Sequence, residues 1–186
     1  KTWTHVEKQE KTPIEYICES HNAIRDYFLK KDFDYLFHLE SDVMVESQTL
    51  RTLLFHSIEK NLPVVSASYF KYNTMDTTLL SQQNEEDAIG SDKKIRAIGY
   101  KECMNSLTGE LIRTWGSGIG AILIKRWVVE KIPFRFQKED NIYPDSWFYD
   151  DLDYSNIPIF VDTNIILKHH SIEWERNIEY HKNKTS

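Results

Sequence analysis

Apolar positions follow two rhythms along the first seventy residues. Ile14, Ile17, Ile24, Tyr27 and Phe28 recur at helical spacing up to Lys31, which predicts an amphipathic helix with one face on a sheet. Thr12 stands at its N-cap, Pro13 at the first helical position, and Glu15 closes a capping box. Tyr35-Leu36-Phe37-His38-Leu39 is an apolar, aromatic-rich run without Gly or Pro and reads as a buried strand. Ser47 then caps a second helix, with Leu50, Leu53, Leu54 and Ile58 on its inner face. Residues 62–69 form another strand, with Pro63 at its entry, where a missing N–H is tolerated. Helix, strand, helix, strand predicts parallel strands joined by crossover helices.

The pattern then breaks. Residues 1–11 are weakly patterned and read as loop. Asn, Thr, Ser, Gln, Glu and Asp dominate residues 73–93, a mobile loop that is either a lid or a tolerated insertion. A short strand follows at 95–100. Three of the six glycines, Gly116, Gly118 and Gly120, fall within five residues, where backbone can approach a ligand closely or turn tightly. No Gly-Lys-Ser/Thr closes this stretch into a phosphate loop. An apolar run at 121–124 and a short helix at 126–132 come next. Asp145-Ser146-Trp147-Phe148-Tyr149-Asp150-Asp151-Leu152 opens another helix, 157–162 is a strand, and the segment 163–170 ends in His169-His170. Residues 171–186 form a polar C-terminal tail. No internal repeat or heptad is present.

Composition bounds what such a chain does. At 186 residues it is read as one domain, residues 1–186, able to build a core without staples. The net charge of −6 argues against general nucleic-acid affinity, which needs a basic surface. Cys18 and Cys103 are too few and too far apart for a disulfide framework or zinc site, so the expected compartment is reducing and cytoplasmic. No apolar run approaches the roughly 20 residues that span a bilayer, and no signal peptide is expected.

The chemistry concentrates where the first strand ends. Glu40 and Asp42 stand one residue apart, so period-two alternation sets both on one side and turns Ser41 away. Two hard oxygen donors at the C-terminal end of an internal strand suit a divalent cation, Mn²⁺ or Mg²⁺, that also holds phosphate oxygens. Open α/β sheets place their ligands at that end. The plainer reading is a strand ending in solvated acids. Acids in the first turn of the helix at 145–152 are likewise stabilised by the helix dipole.

In this order and at these separations the features resemble the GT-A-fold glycosyltransferases, particularly small family-2-like members. The resemblance runs from Ser20-His21-Asn22 to His169, about four-fifths of the chain. Glu40-Ser41-Asp42 resembles the Asp-x-Asp metal motif, with Glu at its first position. Gly116-Ser117-Gly118 before 121–124 is similar to the family's segment beside the donor sugar. Asp145-Ser146-Trp147-Phe148 resembles the segment that carries the catalytic base, and Val161-Asp162-Thr163 with His169 resembles the closing strand and its metal-binding histidine. The distance from Asp145 to Asp162 suits the family's helix and strand, which puts the base at Asp145 with Asp151 as runner-up. The family's first strand and nucleobase-holding turn have no counterpart before residue 12.

The resemblance implies a three-layer α/β/α sandwich around a mostly parallel sheet. It implies transfer of a sugar from a UDP- or GDP-sugar donor to a glycan, protein or other hydroxyl acceptor, with inversion at the anomeric carbon. Glu40, Asp42 and His169 would hold the cation and Asp145 would deprotonate the acceptor. Asn22, Ser41, Gly116, Ser117, Gly118 and Trp147 would contact substrate. A degenerate member that binds nucleotide or glycan without chemistry is the alternative. A metal-dependent phosphohydrolase ranks lower, because two-metal sites need more ligands than these strand ends offer.

Overall fold

A computed structural model describes residues 11–69, 80–82, 95–97, 109–138 and 142–169. The expected lid at 73–93 lies outside these residues except at 80–82, as do residues 1–10, His170 and the tail at 171–186.

The first helix, α1 (Pro13–Leu29), starts as its sequence dictates. Thr12 Oγ1 accepts from the Glu15 N–H at 3.2 Å, and the Glu15 carboxylate accepts from the Thr12 N–H at 2.6 Å. Its buried face centres on Cys18, His21 and Phe28, while Ile24 and Tyr27 are exposed. The helical period was therefore legible but the stripe is rotated from the one expected. Strand β1 (Tyr35–Leu39) follows, then a turn closed by Val43 N–H donating to the Glu40 carbonyl at 3.2 Å. Beyond it lie the two-residue strand β2 (Val43–Met44), α2 (Thr49–Glu59) and the fully buried β3 (Val64–Tyr69). Helix α2 begins at Gln48 without a side-chain cap, and Leu50 and Ile58 face solvent around an inner face of Thr49, Leu53 and Ser57.

Strands β4 (Leu80–Gln82) and β5 (Ile95–Ala97) pair antiparallel as a separate ribbon. The chain returns to the main sheet with β6 (Leu111–Thr114) and β7 (Ala121–Lys125). It continues through α3 (Arg126–Lys131) and α4 (Pro144–Tyr154), and closes with β8 (Ile159–His169).

The main sheet runs β1-β7-β3-β8-β2, with β6 also paired to β8. A mostly parallel sheet was expected, and here the structure differs. Only β3 and β8 pair in parallel; β1–β7, β3–β7, β6–β8 and β2–β8 are antiparallel. The early alternation of helix and strand does make β1 and β3 point the same way, since both oppose β7. Alternation sets direction but not adjacency, and the later β7 inserts between them.

Helices cover both faces of this mixed α/β sheet. Cys18 and Phe28 of α1, Val128 and Val129 of α3, and Phe148, Tyr149 and Leu152 of α4 form one core with Leu36, Ile122, Ile124 and Ile159. On the other face Leu53 of α2 packs on Leu62, Val65 and Leu123. His56 of α2 is tied there to the buried Asp162 of β8 at 2.9 Å. Among the described residues no helix is long and apolar enough to cross a membrane.

Strand β8 changes partner midway. Its residues 159–162 lie between β3 and β6, and 166–169 lie between β3 and β2. The register slips between Ala67↔Asp162 and Ser68↔Ile166, so residues 163–165 bulge out of the β3 ladder. Thr163 and Glu110 pin the bulge: each donates its backbone N–H to the other at 3.1 Å, into the Glu110 carbonyl and the Thr163 hydroxyl oxygen.

Candidate active site

A cleft of about 550 Å³ opens where β1 ends, between α1, the Glu40–Asp42 turn and the start of α4. Its acidic lining is Glu40, Asp42 and Asp145. The backbone supplies the precision. The Glu40 N–H donates to the Gly120 carbonyl at 3.0 Å, one step past the β1–β7 ladder. The turn that follows ends the strand alternation, so Ser41 also lines the cleft instead of pointing away. Asp145 sits in the first turn of α4, where its Oδ1 accepts from the Ser146 N–H at 2.8 Å.

His169 reaches the same place from the far end of the chain. Strand β2 pairs Val43 with His169, which carries the imidazole alongside the residue before Val43. Its Nε2 lies 3.1 Å from Asp42 Oδ2, and its ring packs on Tyr69 at 5.3 Å. A carboxylate oxygen accepts, so Nε2 carries the proton, and Nδ1 is left buried without a partner.

Charge accumulates in this cleft. Burial, then the Asp42 and Asp145 carboxylates, push the Glu40 carboxyl up from about 4.5 to about 7. Burial, then Glu40, also raises the Tyr69 phenol, whose oxygen accepts from the Gly120 N–H at 2.9 Å. Like charges near one another disfavour ionisation unless a cation compensates. Among the described residues no three His, Cys, Asp or Glu side chains converge as a ready-made cation cage.

The remaining expected residues lie elsewhere. Asp151 is gripped by Arg135 in a two-pronged ion pair, 2.8 Å at each contact, outside the cleft lining. Trp147 is buried beneath the Arg135 guanidinium, 4.1 Å from ring centroid to cation. Asn22 clamps Phe134 from both sides, donating to its carbonyl at 2.7 Å and accepting from its N–H at 3.2 Å. Gly116, Ser117 and Gly118 are buried; the Ser117 hydroxyl meets that of Ser66 at 2.6 Å. Gly116 lies flat against Tyr149, where a Cβ would come 2.7 Å from the ring. From this segment only Ile119 lines the cleft.

Sequence reasoning passed over a buried pair of histidines in the cleft wall. His21 and His38 are 6% and 2% exposed. His21 Nδ1 lies 2.9 Å from His38 Nε2, and His38 Nδ1 lies 3.0 Å from the Ile119 carbonyl. The signal was present, since His38 breaks the apolar run of β1 at an inward position. Burial, then His38, lowers the His21 imidazole to about 4. Burial likewise lowers His38.

Comparison with known proteins is sparse in sequence and informative in fold. No protein-family model and no curated protein sequence matches significantly. Among solved structures the chain is similar to one described as "Crystal Structure of A197 from STIV", with a TM-score of 0.52 and 18% identity. The similarity covers 84% of this chain and 69% of that one. At that identity the likeness concerns the fold.

Proposed function

We propose that this chain is a metal-dependent glycosyltransferase of the GT-A type, moving a sugar from a nucleoside diphosphate onto an acceptor hydroxyl. One observation carries the reading: Glu40, Asp42 and Asp145 line one cleft where β1 ends, and His169, from the far end of the sequence, contacts Asp42 at 3.1 Å. A charge-dense cleft of that composition fits a divalent cation with its phosphates better than an uncharged ligand.

The donor set suits such a cation. The Glu40 carboxyl, pushed towards the neutral form by burial and its two acidic neighbours, would be relieved by a divalent charge, and oxygen donors with one imidazole match Mn²⁺ or Mg²⁺. Glu40 and Asp42 would hold it, with His169 as a further ligand once its Nε2 gives up the proton it shares with Asp42; when bound, the cation would act as a Lewis acid towards the diphosphate. The chain's own residues do the rest. Asp145 faces the cleft as the general base for the acceptor hydroxyl, and an acceptor-side base favours in-line displacement with inversion. The half-buried position of Glu40 limits the water that competes for the phosphates.

The test is calorimetric titration of UDP and GDP, with and without Mn²⁺, into wild type and Asp42→Ala. The reading expects Mn²⁺-dependent binding of one nucleotide and its loss in the variant. Binding to neither nucleotide would sink it.

A further inference from the structure

Among the groups lining the cleft, the two histidines form a chain with a defined direction. The Ile119 carbonyl can only accept a hydrogen bond, so His38 Nδ1 carries the proton that bridges their 3.0 Å separation. A neutral ring with its proton on Nδ1 has only a lone pair on Nε2. His21 must then donate from Nδ1 across the 2.9 Å contact, and its own Nε2 becomes a lone pair in turn. One backbone carbonyl therefore fixes the tautomer of two side chains. Nε2 of His21 has no partner among the described residues, although the ring is 6% exposed and forms part of the cleft wall.

We propose that His21 Nε2 reads a hydroxyl group of the bound ligand, accepting its hydrogen bond, and that His38 and the Ile119 carbonyl hold it in the acceptor-only form. The inference rests on the sugar-transfer reading for the expectation of a hydroxyl-rich ligand, but the tautomer chain stands without it.

Three features support this assignment. Among the described residues, every titratable group lining the cleft besides His21, His38 and the tyrosines is a carboxylic acid, which recognises cations and amines as readily as hydroxyls. A neutral imidazole lone pair instead selects a donor without demanding charge. The ring is also immobilised, with its centroid 4.9 Å from Phe134 and 4.8 Å from His38, so little freedom remains to be lost on binding. Finally, an acceptor held in one tautomer in the cleft wall rejects analogues that lack the matching donor. Its low basicity makes it a hydrogen-bond acceptor in preference to a proton acceptor, which leaves Asp145 as the base. His21 is thus a specificity residue, and His38 a positioning residue that acts through it.

The hydroxyl can come from the ribose of a nucleotide or from a hexose, and the experiment separates these sources. Imidazole ¹⁵N resonances of the wild type are recorded free and then with UDP plus diamagnetic Mg²⁺, with 2′,3′-dideoxy-UDP plus Mg²⁺, and with glucose. In the free protein both rings are expected to carry their proton on Nδ1; a His21 protonated on Nε2 overturns the proposal. A shift of His21 Nε2 with UDP but not the dideoxy analogue assigns the hydroxyl to ribose. A shift with glucose assigns it to a hexose, and this holds even if UDP fails to bind and the nucleotide reading falls. No response to any probe overturns the proposal. In parallel, His21→Phe keeps the ring stack, and is expected to lose about tenfold in affinity for the hydroxyl-bearing probe and none for its deoxy counterpart. Equal losses for both would mark His21 as merely structural.

Discussion

Replacing Glu40 by Gln removes a charge the fold holds at a cost, while keeping the side chain's shape. The Glu40 carboxyl moves from about 4.5 to about 7 on folding, and each unit is worth about 1.36 kcal/mol. The difference of about 2.5 units sets a ceiling of about 3 kcal/mol, and water at the mouth of the cleft brings the expected effect to about 1–2 kcal/mol. The sign follows from proton linkage. Below about pH 4.5 both folded and unfolded chains hold the proton and the penalty is absent. Between 4.5 and 7 the unfolded chain releases it while the fold retains it, so this contribution to stability falls as pH rises and levels off above 7. Urea unfolding of wild type and Glu40→Gln at pH 4.5, 6 and 8, with a chelator present, measures this directly. The two proteins should coincide at pH 4.5, and the variant should be the more stable by about 1–2 kcal/mol at pH 8. Adding Mn²⁺ at pH 8 should stabilise the wild type and leave the variant almost unmoved, since only a bound ligand shifts the transition. Stability curves that run parallel from pH 4.5 to 8 would refute the argument that burial, with the neighbouring carboxylates, raises Glu40.

Two further experiments divide the acidic residues of α4 and test the packing beneath them. Asp145→Asn should retain Mn²⁺-dependent nucleotide binding and lose at least about a hundredfold in transfer rate. Asp151→Asn should leave the rate intact and cost about 1–2 kcal/mol in urea unfolding through its ion pair with Arg135; the opposite pattern in a coupled nucleoside-diphosphate release assay would exchange their roles. Gly116→Ala should destabilise by about 2–3 kcal/mol, because the added methyl meets the buried Tyr149 ring. A change below about 0.5 kcal/mol in the same unfolding assay would show that the contact relaxes freely.

Local chemistry was legible in the sequence and long-range adjacency was not. The capping box at Thr12 and Glu15 and the span of β1 depend on neighbours within a few residues, and both follow from pattern alone. The place of β7 between β1 and β3 depends on pairings between residues from 56 to 90 positions apart, which hydrophobic periodicity does not encode. The same division runs through the cleft. Glu40, Asp42 and Asp145 were identifiable as acids at element ends, where polar side chains meet solvent and ligands. His21 and His38 were not, because each looks like an isolated histidine until the fold brings α1 against β1. Trp147 and Asn22 were named through the family resemblance, and the structure engages them with Arg135 and Phe134.

The bulge in β8 gives that strand two registers against β3. Upstream of residues 163–165, Ile159 and Val161 are locked by the core; downstream, Ile166 and Leu167 pair with β3, and Lys168 and His169 pair with β2, which puts His169 against Asp42. An uninterrupted strand would transmit any slip at one end to the other, so adjusting the histidine would drag core side chains to the wrong face. The looped-out residues act as a clutch between the two halves. Length changes within them would move Leu167 and His169 together against β3 and β2 while Ile159 and Val161 keep their register, so the reach of His169 is adjusted through one core residue, not through the whole strand.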